Sequence, residues 1–145
     1  MSAECARASG DAHEIASALR ELARTAVRRG DTVSARTLLE ESLEQTRRLE
    51  SRYALAECIE VWAGMAAEKG DLETSAVLFG AGEAERESTT GAWSTAPEKA
   101  WCTAWRSFLR ERLGDREFER ALQRGRQTTA AQALELAKRE LPSAS

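Results

Sequence analysis

Apolar positions near the start of the chain recur at helical spacing: Ile15, Leu19, Leu22, Ala23 and Ala26 share one face of a predicted helix. Gly30 can take the left-handed conformation that closes this helix, and Asp31 can cap the next one. That second helix carries Val33, Leu38, Leu39 and Leu49. The same pattern returns 40 residues on, where Gly70-Asp71 repeats Gly30-Asp31 and Ala56, Ala66 and Leu78 match Ala16, Ala26 and Leu38. Leu55, Ile59, Trp62, Ala63 and Ala66 precede this second turn, and Leu78, Phe79 and Ala81 follow it. Ala23, Ala26, Ala63 and Ala66 are small enough to let neighbouring helices approach closely. The pattern predicts helix-pair units over 11–50 and 51–88.

At the same offset Arg7 falls on Arg47, so residues 1–10 read as the remnant of a preceding repeat helix. A helix pair leans on its neighbours to bury its apolar face. The expectation is therefore a segment of a longer protein, with an apolar end face that predicts dimerisation. Residues 89–145 have no counterpart at the 40-residue offset and read as capping helices. Thr95-Ala96-Pro97-Glu98 is a helix start, followed by Trp101, Trp105, Phe108 and Leu109 on one face. Gly114-Asp115 begins a short helix with Phe118, Ala121 and Leu122, which Gly125 ends. Thr128 or Thr129 caps a last helix carrying Ala130, Ala133, Leu134 and Ala137.

Composition sharpens this reading. Only Pro97 and Pro142 interrupt a chain of 145 residues rich in Ala, Leu, Glu and Arg, which lose little side-chain freedom in a helix. Hydrophobic residues at 42% and charged ones at 31% are the balance of an ordinary globular domain. A formal net charge of −3 lacks the basic excess of a duplex binder, so direct nucleic-acid binding is not expected. No apolar run approaches a membrane span, and Met1-Ser2-Ala3-Glu4-Cys5 does not open a signal peptide. The expected location is cytoplasmic, where Cys5, Cys58 and Cys102 would be reduced, packed thiols.

Leu22-Ala23, Gly30-Asp31, Ala35 and Leu39 follow a bulky–small, turn, small–bulky order, as do Trp62-Ala63, Gly70-Asp71, Ser75 and Phe79. On these residues the chain resembles tetratricopeptide-like repeats. It departs from them in its period of 40 instead of 34 and in lacking the repeat-end proline. Residues 76–84, with Phe108 to Gly114, Phe118 and Gly125-Arg126, are similar to the C-terminal end of bacterial multidomain signalling ATPases. These include regulators of the LuxR and antibiotic-regulatory classes. The resemblance implies an all-α, tetratricopeptide-like helical repeat (an α-α superhelix) of two helix pairs plus a Trp-rich C-terminal helical cap. It also implies a sensor region for a parent whose activity lies elsewhere.

Chemistry is sparse. His13 is the only histidine and sits among polar neighbours at the start of a helix, a surface position. Phosphate-loop, dinucleotide and nucleophile-elbow fingerprints are absent; Gly80-Ala81-Gly82 lies inside a helix, and Glu40-Glu41 and Glu83/Glu85 fit solvated faces. No cofactor or metal site is expected, and the chain is not expected to be an enzyme. Arg20, Arg24 and Arg28 form a basic stripe facing Glu57, Glu60 and Glu68 on the next unit. This stripe reads either as the two walls of a groove for a charged peptide or as ion pairs between adjacent helices, worth about 0–1 kcal/mol each at a surface. Trp93, in a polar loop, is a candidate contact residue. The leading expectation is a protein-interaction module whose partner is a protein, a peptide or another domain of its parent. A free-standing adaptor is an alternative. Another is a small-molecule sensor with an apolar pocket at Trp62, Phe79, Trp101 and Trp105.

Overall fold

Two Gly-Asp turns set the scaffold. In the computed structural model, which describes residues 3–89 and 96–141 with side chains from Gly10 onward, Gly30 and Gly70 take φ of 76° and 89°. Each sits after a helix whose last carbonyls accept from the turn: Asp31 N–H donates to Ala26 O, and Asp71 N–H to Ala66 O, both at 2.9 Å. Asp31 and Asp71 then cap the following helices with nearly identical backbones (φ, ψ of −89°, 76° and −88°, 77°). The two Gly-Asp turns, 40 residues apart, thus match down to the dihedral angles of their caps.

The described residues form helices α1 (Ala3–Arg28), α2 (Thr32–Leu49), α3 (Arg52–Glu68), α4 (Leu72–Glu87), α5 (Ala96–Leu113), α6 (Asp115–Arg126) and α7 (Ala130–Glu140), with no strand among them. Helix α1 pairs with α2 and α3 with α4, and α3 also packs against both helices of the first pair. The turn between the pairs uses Glu50 at φ 53°, a left-handed residue that is not glycine, followed by Ser51 capping α3. Helices α6 and α7 lie on α4, and α7 reaches back so that Arg36 of α2 donates to the Leu141 carbonyl. The core runs through Val27, Leu39, Ile59, Trp62, Phe79 and Phe118, all but sealed from solvent.

Close helix contact depends on absent side chains. Gly80 of α4 faces the α6 backbone at Leu122 and Arg126, and Gly125 of α6 faces the α4 backbone at Val77 and Ala81. A Cβ on either would collide with a carbonyl oxygen, so the crossing needs glycine at both. Gly125 therefore lies within α6, where the sequence reading had it ending that helix.

Helix α1 runs unbroken from Ala3 through Gly10 to Arg28, so residues 3–10 of the segment read as a repeat remnant are continuous with the first helix. Ile15 and Leu22 stand 48% and 55% exposed, and Val33 is exposed too. The buried face of α1 is instead made by Ala16, Arg20, Ala23, Arg24 and Val27, the side that meets α2 and α3. Of Gly114-Asp115 it is Gly114 that occupies the cap position of α6, with φ 85° and no side-chain cap. Thr129 does cap α7, in a reciprocal capping box with Gln132.

Candidate binding surface

The residues expected to wall an open groove are mostly buried. Arg20 and Arg24 are 6% and 2% exposed, and Glu57 and Glu60 are buried as well. Arg20 pairs with Glu57 at 2.8 Å, bridging α1 and α3. Arg24 pairs with Glu21 at 2.5 Å and reaches Glu98 of α5 at 4.0 Å. Glu60 pairs with Arg86 of α4, and Arg86 also lies over the Tyr53 ring at 4.8 Å. Three guanidiniums and three carboxylates make a charge-balanced layer, which is how so many ionisable groups tolerate burial. Arg28 and Glu68 remain exposed and outside that layer.

Helix α5 closes this face. The Trp101 indole N–H donates to the Glu60 carbonyl at 3.0 Å, Glu98 meets Arg24, and Arg28 lies over the Trp101 ring at 5.3 Å. The socket for the indoles is Gly64 of α3, where a Cβ would collide with Trp101 and come within 2.9 Å of the Trp105 Nε1. The expected groove between α1 and α3 is therefore filled by the chain's own helix. Trp93 lies outside the described residues.

Burial also sets the protonation of the layer. It raises the Glu60 carboxyl above its ordinary value, against the opposing pull of the Arg86 guanidinium. It likewise pushes the Cys102 thiol far up, with the Glu60 charge acting in the same direction. Cys58, beside Ser42 and Thr46, is raised for the same first reason. Both thiols are therefore neutral packing groups and poor nucleophiles.

The four residues expected to share one apolar pocket are divided by the fold. Trp62 is sealed in the core beneath the Arg36 guanidinium, 5.4 Å from its ring. Phe79 borders a slot of about 20 Å³ with Glu60, Glu83, Arg86, Cys102 and Arg106, room for about one water. Trp101 and Trp105 line a different feature, an open trough of about 410 Å³ with Arg28, Ala100, Ala104 and Phe108. The aromatic rings there form an edge-to-face ladder, Trp101 to Trp105 at 5.8 Å and Trp105 to Phe108 at 5.6 Å. Trp105 and Phe108 are half-buried, which leaves apolar ring surface facing solvent. At the trough's rim Arg28 makes no ion pair among the described residues.

Two acidic residues of this region differ from their expected solvated setting. Glu83, taken for a solvated position, is held between Arg106 of α5 and Arg126 of α6, and Arg126 also takes Glu87 at 2.5 Å. Glu85 pairs with Arg52 at 2.9 Å. The only local signal was Glu83 and Glu87 one helical turn apart, with their partners far away in the chain. His13 is exposed on α1. Among the described residues no cluster of three His, Cys, Asp or Glu side chains could hold a metal, and no helix is long and apolar enough to cross a membrane. No protein-family model, no curated protein and no solved structure matches the chain.

Proposed function

We propose that the chain is a non-catalytic protein-interaction module whose binding surface is the trough between Arg28 and α5. The observation that carries this reading is an open trough in which the half-buried Trp105 and Phe108, backed by the buried Trp101, lie beside an exposed guanidinium without an ion-pair partner among the described residues. Aromatic residues and Arg are the side chains most enriched at interface centres. The partner they suit is a peptide segment that inserts an apolar side chain along the rings and sets a carboxylate on Arg28. Panning a displayed peptide library against the wild-type chain should enrich apolar-acidic sequences. Binding of the selected peptides should fall at least about tenfold in Trp105→Ala and in Arg28→Glu, with circular dichroism unchanged. Equal binding by wild type and both variants would remove the trough from consideration.

The helix pairs, with their bulky–small, Gly-Asp, small–bulky order, support a tetratricopeptide-like assignment. On that basis we read the module as the C-terminal sensor part of a bacterial signalling or transcriptional regulator. An immunoblot of host lysate against this segment tests it, since a band at 15.9 kDa would refute a larger parent. One observation favours a second reading: 410 Å³ falls in the range of small-ligand sites, about 300–1,000 Å³. A small-molecule sensor would show tryptophan quenching with low-molecular-weight aromatic acids, and no peptide selection.

A further inference from the structure

We infer that the exposed face of α1 is a two-fold contact at which a second copy of this chain docks antiparallel. The inference deepens the interaction-module reading and rests on it, but it uses a different surface. Positions 11, 15, 18, 22, 25 and 29 follow a 4-3-4-3-4 spacing, the seam of a coiled coil. They hold Asp11, Ile15, Ala18, Leu22, Thr25 and Arg29. All are exposed except the half-buried Thr25, and Ile15 and Leu22 are two of the three large hydrophobic side chains left exposed among the described residues.

What selects a second copy is how this seam reads backwards. An antiparallel partner related by an axis level with position 20 sets Asp11 opposite Arg29, Ile15 opposite Thr25, and Ala18 opposite Leu22. Acid then meets base at both ends, some 27 Å apart at 1.5 Å per residue, and small meets large at the centre. Asp11 and Arg29 have no ion pair within the described part of their own chain. A parallel partner would set like against like at every level, Asp11 against Asp11 and Arg29 against Arg29. At the other end of the stack α6 and α7 cover α4, so a copy stacked head to tail would not meet an open face of α4 there. The self-complementary order of the seam favours an isologous contact through α1.

The test is sedimentation velocity of the full chain from about 1 to 200 μM, with peptide binding at the trough measured in parallel. We expect a monomer–dimer equilibrium in the micromolar range. Leu22→Glu should abolish it, since it sets a carboxylate against the partner's Ala18 and changes a side chain already half in water. Asp11→Arg alone and Arg29→Asp alone should each weaken association on the order of tenfold, because each creates two like-charge contacts per dimer. The double variant Asp11→Arg/Arg29→Asp restores both contacts and should return the dissociation constant to within about threefold of wild type. A wild-type monomer throughout would overturn the proposal and leave this face to a different chain. A dimer indifferent to Leu22→Glu, or single charge variants that the double does not rescue, would overturn it equally. Loss of peptide binding with the dimer intact would instead count against the trough alone.

Discussion

Replacing Gly125 with alanine opposes two effects of known size. In a helix interior alanine is favoured over glycine by about 1 kcal/mol, so propensity alone predicts stabilisation. Sterics predict the reverse. The new Cβ would fall 2.7 Å from the Val77 carbonyl carbon and 3.0 Å from the Ala81 nitrogen, in addition to colliding with the Val77 oxygen. These are backbone atoms of α4, which no rotamer change can move aside. Relief requires α6 to lift by on the order of 1 Å, a gap that forfeits a quarter to a half of each dispersion contact it loosens. Phe118, Ala121 and Leu122 on the same face of α6 are buried and would share that loss. Overpacking costs about 1–3 kcal/mol, and the upper end applies where backbone meets backbone. After subtraction of the propensity gain, Gly125→Ala should destabilise by about 2 kcal/mol, lowering Tm by about 6–8 °C for a chain of this size. Gly80→Ala should behave the same way, since its Cβ meets Leu122 and Arg126 backbone. Gly10, helical with nothing within 4 Å of its Cβ position, is the control and should gain up to about 1 kcal/mol as alanine. Thermal and urea unfolding by circular dichroism measure all three. A Gly125→Ala protein as stable as wild type, beside a stabilised Gly10→Ala, would refute the close crossing of α4 and α6.

The other predictions concern the buried layer and the turn between units. Glu60→Ala removes the carboxylate paired with the buried Arg86 guanidinium and should cost about 3–5 kcal/mol in urea melts, whereas Glu60→Leu/Arg86→Met should fall within about 1 kcal/mol of wild type; a double-variant loss equal to the sum of the Glu60→Ala and Arg86→Met losses would show that the pair is not coupled. Cys58 and Cys102 ionise above the 9.0 of a free thiol because they are buried. The stability they contribute is thus complete well below pH 9 and falls as pH rises toward their folded values. Under reducing conditions, Cys102→Ala should make the alkaline fall in stability between pH 9 and 10 shallower, and an unchanged slope would place the titration elsewhere. Glu50→Gly removes a left-handed non-glycine residue and should stabilise by about 1 kcal/mol; a loss would mean that the Glu50 side chain matters more than its backbone.

The scaffold was legible because its signals are local. A glycine able to take positive φ followed by a capping acid occurs twice, 40 residues apart, and both turns form as the pattern implies. The site was not, because its parts are brought together across the chain. Periodicity put Trp101, Trp105 and Phe108 on one face of a helix but said nothing of where that helix lands. The landing place is marked by Gly64, which in sequence reads only as a weak helix residue. Charge misled for a similar reason. Arg20, Arg24, Glu57 and Glu60 are residue types rarely buried unpaired, and two of the groups that complete their layer, Arg86 and Glu98, come from α4 and α5. Ile15 and Leu22 matched a core face in spacing, but no described neighbour covers that side of α1.

Where α5 lies decides what kind of binding the chain can offer. A peptide entering between α1 and α3 would have to displace Trp101 from Gly64 and from its hydrogen bond with Glu60, and to separate Glu98 from Arg24. Burial of one large aromatic side chain alone is worth about 1.5–3 kcal/mol, so that route loses at least tenfold in affinity before any contact is made. Binding on the outside of α5 carries no such cost. Around α1 the trough and the proposed seam are also well separated, since Arg28 and Leu22 lie about 120° apart on the helix axis. A dimer through the seam would therefore leave both troughs open. Two linked sites convert a second binding event into an intramolecular one, and the gain can reach about 10²–10⁴ in avidity for a partner carrying two copies of the recognised segment. A bivalent peptide should thus outbind its monovalent form on the wild-type chain and lose that advantage on Leu22→Glu, with monovalent affinity unchanged. An equal advantage on both proteins would show that the two surfaces do not act together.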